Sequence, residues 1–118
     1  MKLIYVASPY SGDVERNTEY AKLACRNVLD CGHAFFAPHL LYPAILDDSN
    51  PRERERGLAM GCEVLARCDE LWVYGSRVSE GMDAEIRAAR QLGVPVRYFE
   101  LTQNCSMAAT EAPSFGMM

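Results

Sequence analysis

Four short strand-like runs punctuate this chain, Leu3–Ala7, Ala34–Ala37, Leu71–Tyr74 and Val94–Phe99, and the first of them is apolar throughout. Longer stretches of helical periodicity separate them. A run that stays apolar without alternating fits a strand buried on both faces, the kind found in parallel sheets. Parallel neighbours need crossover helices, and the crossovers are right-handed. The pattern therefore predicts one α/β domain over residues 1–100, in three αβα layers. Its sheet is expected to be parallel, four- or five-stranded and flavodoxin/Rossmann-like, with strand order 2-1-3-4. The switch point then falls between the strands ending at Ala7 and Tyr74, where folds of this kind bind ligands.

The helices follow from their end signals. Val14–Asp30 reads as a helix capped by Asp13, with Tyr20, Leu23, Ala24, Val28 and Leu29 as its apolar stripe and Gly32 at its close. Asn50-Pro51 opens a second helix running to about Cys68. A third spans Glu80 to Leu92 after Ser79 and ends at Gly93. The loop from His39 to Pro51 is long and partly apolar, which suggests a functional cover rather than a bare linker. Residues 101–118 lack periodicity and are expected to form a flexible or subunit-contacting tail.

Composition excludes several classes. The chain has 118 residues, 49% hydrophobic and 24% charged, an ordinary globular balance. No apolar stretch approaches the roughly 18–20 residues that span a bilayer. The run Met1–Ala7 is too short for a signal peptide, so the expected location is cytoplasmic. A net charge of −4 and a pI near 5.1 argue against a nucleic-acid polymer as partner. Five cysteines without a CxxC pair fit a reduced protein, with Cys25, Cys31, Cys62 and Cys68 acting as small hydrophobes in helices. Their spacing does not suit zinc, so neither a metal nor a cofactor is expected.

The chemistry concentrates in Ser79–Val96. On the third helix Asp83 faces Arg87 at i+4, a surface ion pair, and Glu80 sits at the positive end of the helix dipole. Glu85 has small or apolar neighbours instead and borders the buried stripe of Met82, Ile86, Ala89 and Leu92. That makes Glu85 the candidate working group. The turn Ser79, Gly81, Met82 offers a hydroxyl and backbone N–H groups to an anion. A second small polar turn, Ser8-Pro9-Tyr10-Ser11-Gly12, follows the first strand at the same sheet edge. His39 lies just past the second strand, also at that edge. His33 fits a helix C-terminus, Arg52, Arg54 and Arg56 fit a solvated helix start, and Trp72 and Tyr74 fit the core.

Ile4–Tyr10, Cys68–Val73 and Ser79–Val96 together resemble the nucleoside 2-deoxyribosyltransferase superfamily. The likeness covers about residues 2–100. It is nearest in type to the 2′-deoxynucleoside 5′-monophosphate N-hydrolases and to a small prokaryotic and phage-borne branch. The resemblance implies that Glu85 is a nucleophile and that Tyr5 hydrogen-bonds it. It implies Ser79 as a 5′-phosphate ligand and Ser8–Gly12 as the lining of the sugar or phosphate pocket. Where the family carries its second carboxylate, this chain has Gly61.

The implied activity is cleavage or transfer of the N-glycosidic bond of a (deoxy)nucleoside 5′-monophosphate through a covalent glycosyl-Glu85 intermediate. The helix N-terminus and the tyrosine hydroxyl are expected to favour the anionic form of Glu85. A small-molecule nucleotide or nucleoside is the expected partner, and family members form dimers or larger homo-oligomers. The alternative, kept open by Gly61, is a non-catalytic protein that senses or sequesters a nucleotide or an ADP-ribose-like ligand.

Overall fold

Alternate residues of Leu3–Ala7, here β1, enter two different cores. Ile4 and Val6 join one buried cluster and Tyr5 and Ala7 the other. This is why the run must be apolar throughout: the strand has a packed layer on each side. In this computed structural model residues 1–101 and 107–110 are described. After β1 come α1 (Val14–Asp30), β2 (Ala34–Phe36), the one-turn α2 (Pro38–Leu41) and a 3-10 turn at Tyr42–Ala44. Next are α3 (Pro51–Arg67), β3 (Glu70–Tyr74), α4 (Glu80–Leu92), β4 (Val96–Leu101) and β5 (Met107–Thr110).

The sheet order is β2-β1-β3-β4-β5. The first four strands are parallel, in the expected order 2-1-3-4, with Tyr5 paired to Phe36 on one side and Leu71 on the other. Helix α1 covers one face, where Ala24, Cys25 and Val28 meet Ile4, Val6, Trp72, Tyr74 and Phe99. Helices α3 and α4 cover the other, where Leu65, Met82, Ile86 and Ala89 meet Tyr5, Ala7, Leu71 and Val73. At roughly 25 cal/mol per Å² of apolar surface, these two layers supply most of the drive to fold. Because β1 and β3 are adjacent and their crossovers leave to opposite faces, a crevice opens at the ends of Ala7 and Tyr74.

The caps follow the sequence signals. Asp13 accepts from the Arg16 N–H at 3.1 Å, and Asn50 accepts from the Arg52 and Glu53 N–H groups. Gly93 closes α4 at φ 76°, in the left-handed region.

Several expectations change. A fifth strand exists but is antiparallel: Met107–Thr110 pairs back on Tyr98–Leu101. The expected tail therefore contributes to the sheet at 101 and 107–110, and its remaining residues, with Cys105, lie outside the described ones. The expected loop from His39 is helical through Ala44, because Pro38 starts a turn at N1 as well as ending β2. Leu29 and Leu92, placed in apolar stripes, are about half exposed, since each sits at the last turn of its helix where the covering layer runs out. Cys25 and Cys68 are buried as expected, whereas Cys31 and Cys62 are exposed.

At the opposite end of the sheet from the crevice, Glu70 opens β3 as a buried acid. It accepts from the Trp72 indole N–H at 2.7 Å and pairs with Lys2, while the Arg97 guanidinium lies over the Trp72 and Phe99 rings. Burial opposes its charge, but those cations and the indole hold its carboxyl below the usual range. Among the described residues no helix is long and apolar enough to cross a membrane.

Candidate active site

Two backbone elements, β1 and α4, meet at one carboxylate. Tyr5 points from β1 toward the α3/α4 layer, because its place in the strand alternation assigns it to that face. Ser79 caps α4, its Oγ accepting from the Met82 N–H at 3.2 Å, which fixes where the helix starts. Glu85 then stands two turns in, on the edge of α4's buried stripe. The Tyr5 hydroxyl donates to Glu85 Oε2 at 2.8 Å. The other carboxylate oxygen, Oε1, is buried and has no hydrogen-bond partner.

Burial dominates the electrostatics of this pair. It pushes the Glu85 carboxyl up to about 7, and the Tyr5 hydrogen bond pulls in the other direction without overcoming it. The hydroxyl favours the charge, as expected, and desolvation, which the sequence did not reveal, outweighs it. Tyr5 itself is pushed far above its ordinary value, first by burial and then by the Glu85 charge and hydrogen bond. It is a permanent donor.

Glu85 opens into a cleft of about 540 Å³ at the switch point. Helix α4 contributes Ser79, Glu80, Gly81 and Glu85 to its wall, and the turn after β1 contributes Tyr10 and Ser11. The segment after β2 roofs it with His39, Tyr42 and Leu46, which accords with the expected cover. Helix α3 supplies Arg54, Gly57, Gly61 and Cys62. The Tyr10 and His39 rings stack at 5.2 Å between centroids and 13° between planes. Burial lowers the His39 pKa, so that ring is neutral near pH 7.

Of the residues singled out from sequence, Tyr5, Tyr10, Ser11, His39, Ser79, Gly81 and Glu85 share this cleft. Ser8, Pro9, Gly12 and Met82 do not line it. Ser8 is buried at the end of β1, and Pro9 packs against the Gly75 turn after β3. Gly12 serves the turn into α1 at φ 100°. The Met82 side chain belongs to the core, and its N–H is taken by the Ser79 cap. Asp83 pairs with Arg87 at 3.0 Å, as the spacing requires. His33 accepts from the Lys2 N–H and meets Trp72 edge-on, a structural role.

Tyr42, Arg54, Gly57 and Cys62 were not singled out for the site. Gly57 and Gly61 carried a signal that could have found them: two glycines at i, i+4 strip one face of a helix, which helices tolerate only where something must come close. Among the described residues no three His, Cys, Asp or Glu side chains are grouped to hold a metal ion.

This fold is that of the 2-deoxyribosyltransferases. The chain superposes on a 2-deoxyribosyltransferase from Bacillus psychrosaccharolyticus with a TM-score of 0.71 at 23% identity, covering 86% of this chain and 74% of that one. A 2-deoxyribosyltransferase from Leishmania mexicana gives 0.58 at 15% identity, over 86% of this chain and 66% of that one. A conserved protein from Enterococcus faecalis gives 0.59 at 24%, over 83% and 62%. The chain thus spans about two thirds of the length of the last two. No curated protein matches its sequence. Residues 2–99 match the family model described as Domain of unknown function (DUF7768), and the chain belongs to that family.

Proposed function

We propose that this protein breaks the N-glycosidic bond of a (deoxy)nucleoside 5′-monophosphate through a covalent glycosyl intermediate on Glu85. The observation that carries this reading is the asymmetry of the Glu85 carboxylate: Oε2 is held by Tyr5, while buried Oε1 has no partner. An unpartnered buried oxygen is costly to stability, and such costs collect where chemistry is done.

In this mechanism Oε1 attacks the anomeric carbon as the C–N bond breaks, and the bonding electrons leave with the base. Water then displaces Glu85 to release the sugar phosphate, or a second base takes the sugar. The Tyr5 hydroxyl keeps the carboxylate oriented through both steps. The N-terminus of α4, with Ser79 and Gly81, faces the cleft and suits a 5′-phosphate by its dipole and N–H groups. The relatives in fold named 2-deoxyribosyltransferases support glycosyl transfer as the class. The reading is completed by a cytoplasmic setting and a homodimer or larger assembly.

The test is incubation with each deoxynucleoside, its 5′-monophosphate and NAD, with chromatography for free base and for exchanged nucleosides. Base release from a monophosphate, abolished in Glu85→Gln while binding persists, is the expected result. Wild-type turnover by Glu85→Gln would sink it. Gly61, in place of the family's second carboxylate, favours one other reading, a nucleotide or ADP-ribose-like sensor. A ligand that raises the melting temperature and is recovered intact would establish that instead.

A further inference from the structure

The wall of the cleft is acidic and aromatic. Asp48, Glu53 and Glu80 line it together with Glu85, against the single guanidinium of Arg54 among the described residues. Tyr5, Tyr10 and Tyr42 supply ring faces, and Tyr10 stacks on His39, whose ring burial keeps neutral near pH 7. Carboxylates and tyrosine faces both attract a flat cation. Glu85 itself has use for one: its Oε1 is buried without a partner, and burial opposes its charge.

The position beside the reacting atoms points the same way. Gly61 is buried on α3, and a Cβ there would meet the Tyr5 hydroxyl oxygen at 3.2 Å, one hydrogen bond away from Glu85. A side chain fits that spot with a few tenths of an ångström of give, yet this chain places no acid in it. The other carboxyls of the cleft do not stand in for one. Asp48 and Glu80 are exposed, whereas Oε1 is buried, and Glu53 Oε1 accepts from the Asp47 N–H at 2.7 Å. Neutral His39 has no imidazolium proton to give. A neutral purine or pyrimidine leaves as an anion unless an acid protonates it. A base bonded through a positively charged ring nitrogen leaves neutral and needs no acid.

Given Glu85 as the nucleophile of the proposed reaction, we propose that the substrate is a nucleoside 5′-monophosphate whose base is a cationic heteroarene of the pyridinium type, joined to the sugar through its charged nitrogen. Glu85 Oε1 bonds to the anomeric carbon as the C–N bond breaks. The electron pair of that bond stays on the ring nitrogen and cancels its charge, so no proton moves. Water then adds to the anomeric carbon, Glu85 departs as the carboxylate, and the proton of the water passes to solvent. The cationic ring also offsets the burial of Glu85, because a positive charge beside Oε1 favours the ionised carboxyl. The substrate thereby helps to charge the group that attacks it.

The experiment incubates the full chain with nicotinamide mononucleotide and, separately, with purine and pyrimidine ribo- and deoxyribonucleoside monophosphates, following free base by chromatography. Nicotinamide should be released faster than any neutral base, by on the order of 100-fold, the usual contribution of a general acid. Gly61→Asp should narrow that gap by about tenfold, by giving neutral bases a proton donor. Should that variant not fold, a binding measurement stands beside the rates. Glu85→Gln should be stabilised against heat more by nicotinamide mononucleotide than by its reduced form, which lacks the ring charge. Neutral bases released as fast as nicotinamide, an unchanged gap in folded Gly61→Asp, or equal stabilisation by the two forms would each overturn the substrate class and leave the proposed function standing. Release of no base from any of these nucleotides, or wild-type release by Glu85→Gln, would overturn both.

Discussion

The Tyr5 hydroxyl and the Glu85 carboxylate, 80 residues apart in sequence, meet at 2.8 Å where β1 and α4 face each other across the cleft. Two opposing forces act at this contact. Burial disfavours the Glu85 charge and the hydroxyl favours it, leaving the carboxyl at about 7. A carboxyl so placed changes its charge near neutral pH rather than in the ordinary carboxylate range.

Tyr5→Phe removes the favourable force and leaves the burial. The Glu85 midpoint should rise by about one unit, the size expected for losing a hydrogen bond to a charged group. Base release at neutral pH should fall several-fold, mostly in kcat, and the acid limb of its pH profile should move up from about 7. A profile unchanged from wild type would show that the hydroxyl does not set the charge of Glu85.

Glu85 also taxes the fold in a pH-dependent way. In the folded chain its carboxyl keeps a proton up to about 7, against an ordinary value of 4.5. Between those values the native state binds more protons than the unfolded state, so raising the pH drains stability. The loss reaches on the order of 3 kcal/mol once the pH exceeds the folded value. Glu85→Gln should therefore melt higher than wild type near pH 8 and about level with it near pH 4, a gap that calorimetry can follow.

Ser79→Ala tests whether the cap has a second task. Loss of the bond to the Met82 N–H should cost about 1 kcal/mol in denaturant unfolding. If the hydroxyl also meets phosphate, KM for monophosphates should rise severalfold with little change for free nucleosides. An equal effect on both substrates would confine Ser79 to capping.

Glu70→Ala should damage the fold and spare the cleft. It strands the Trp72 indole N–H and leaves Lys2 and Arg97 without their shared acid. One unsatisfied buried donor costs about 1–3 kcal/mol, readable in denaturant unfolding. Because the Glu70 carboxyl is held below its ordinary range, its stabilisation is present near neutrality and lost as the pH falls through that lowered value. Activity per folded molecule should stay near wild type, since Glu70 lies at the far end of β3.

Much of this architecture was legible because its signals are local. The apolar runs Leu3–Ala7 and Leu71–Tyr74 marked the two strands buried on both sides, and Asp13, Asn50, Ser79 and Gly93 marked helix ends that the backbone honours. The i, i+4 pairing of Asp83 with Arg87 left Glu85 as the unexplained acid. The antiparallel β5 was not legible, because an edge strand satisfied mainly by backbone pairing needs no apolar run. Nor was the balance on Glu85. The hydroxyl that favours its charge could be inferred from resemblance, but the depth of burial that opposes it is a property of three packed layers. Ser8 and Met82 show the converse limit: a residue type suited to a ligand, at the correct edge of the sheet, can still face the core.

The antiparallel return of Met107–Thr110 has a consequence for how this molecule behaves among its own copies. Without that strand, Val96–Leu101 would end the sheet as an open row of amide and carbonyl groups, a template for any passing strand. With it, the outer rows of the sheet are β5 and the three-residue β2, both short. Removing the last dozen or so residues would thus leave the cleft residues in place and turn a finished edge into an adhesive one, so that such a chain would be lost first to self-association.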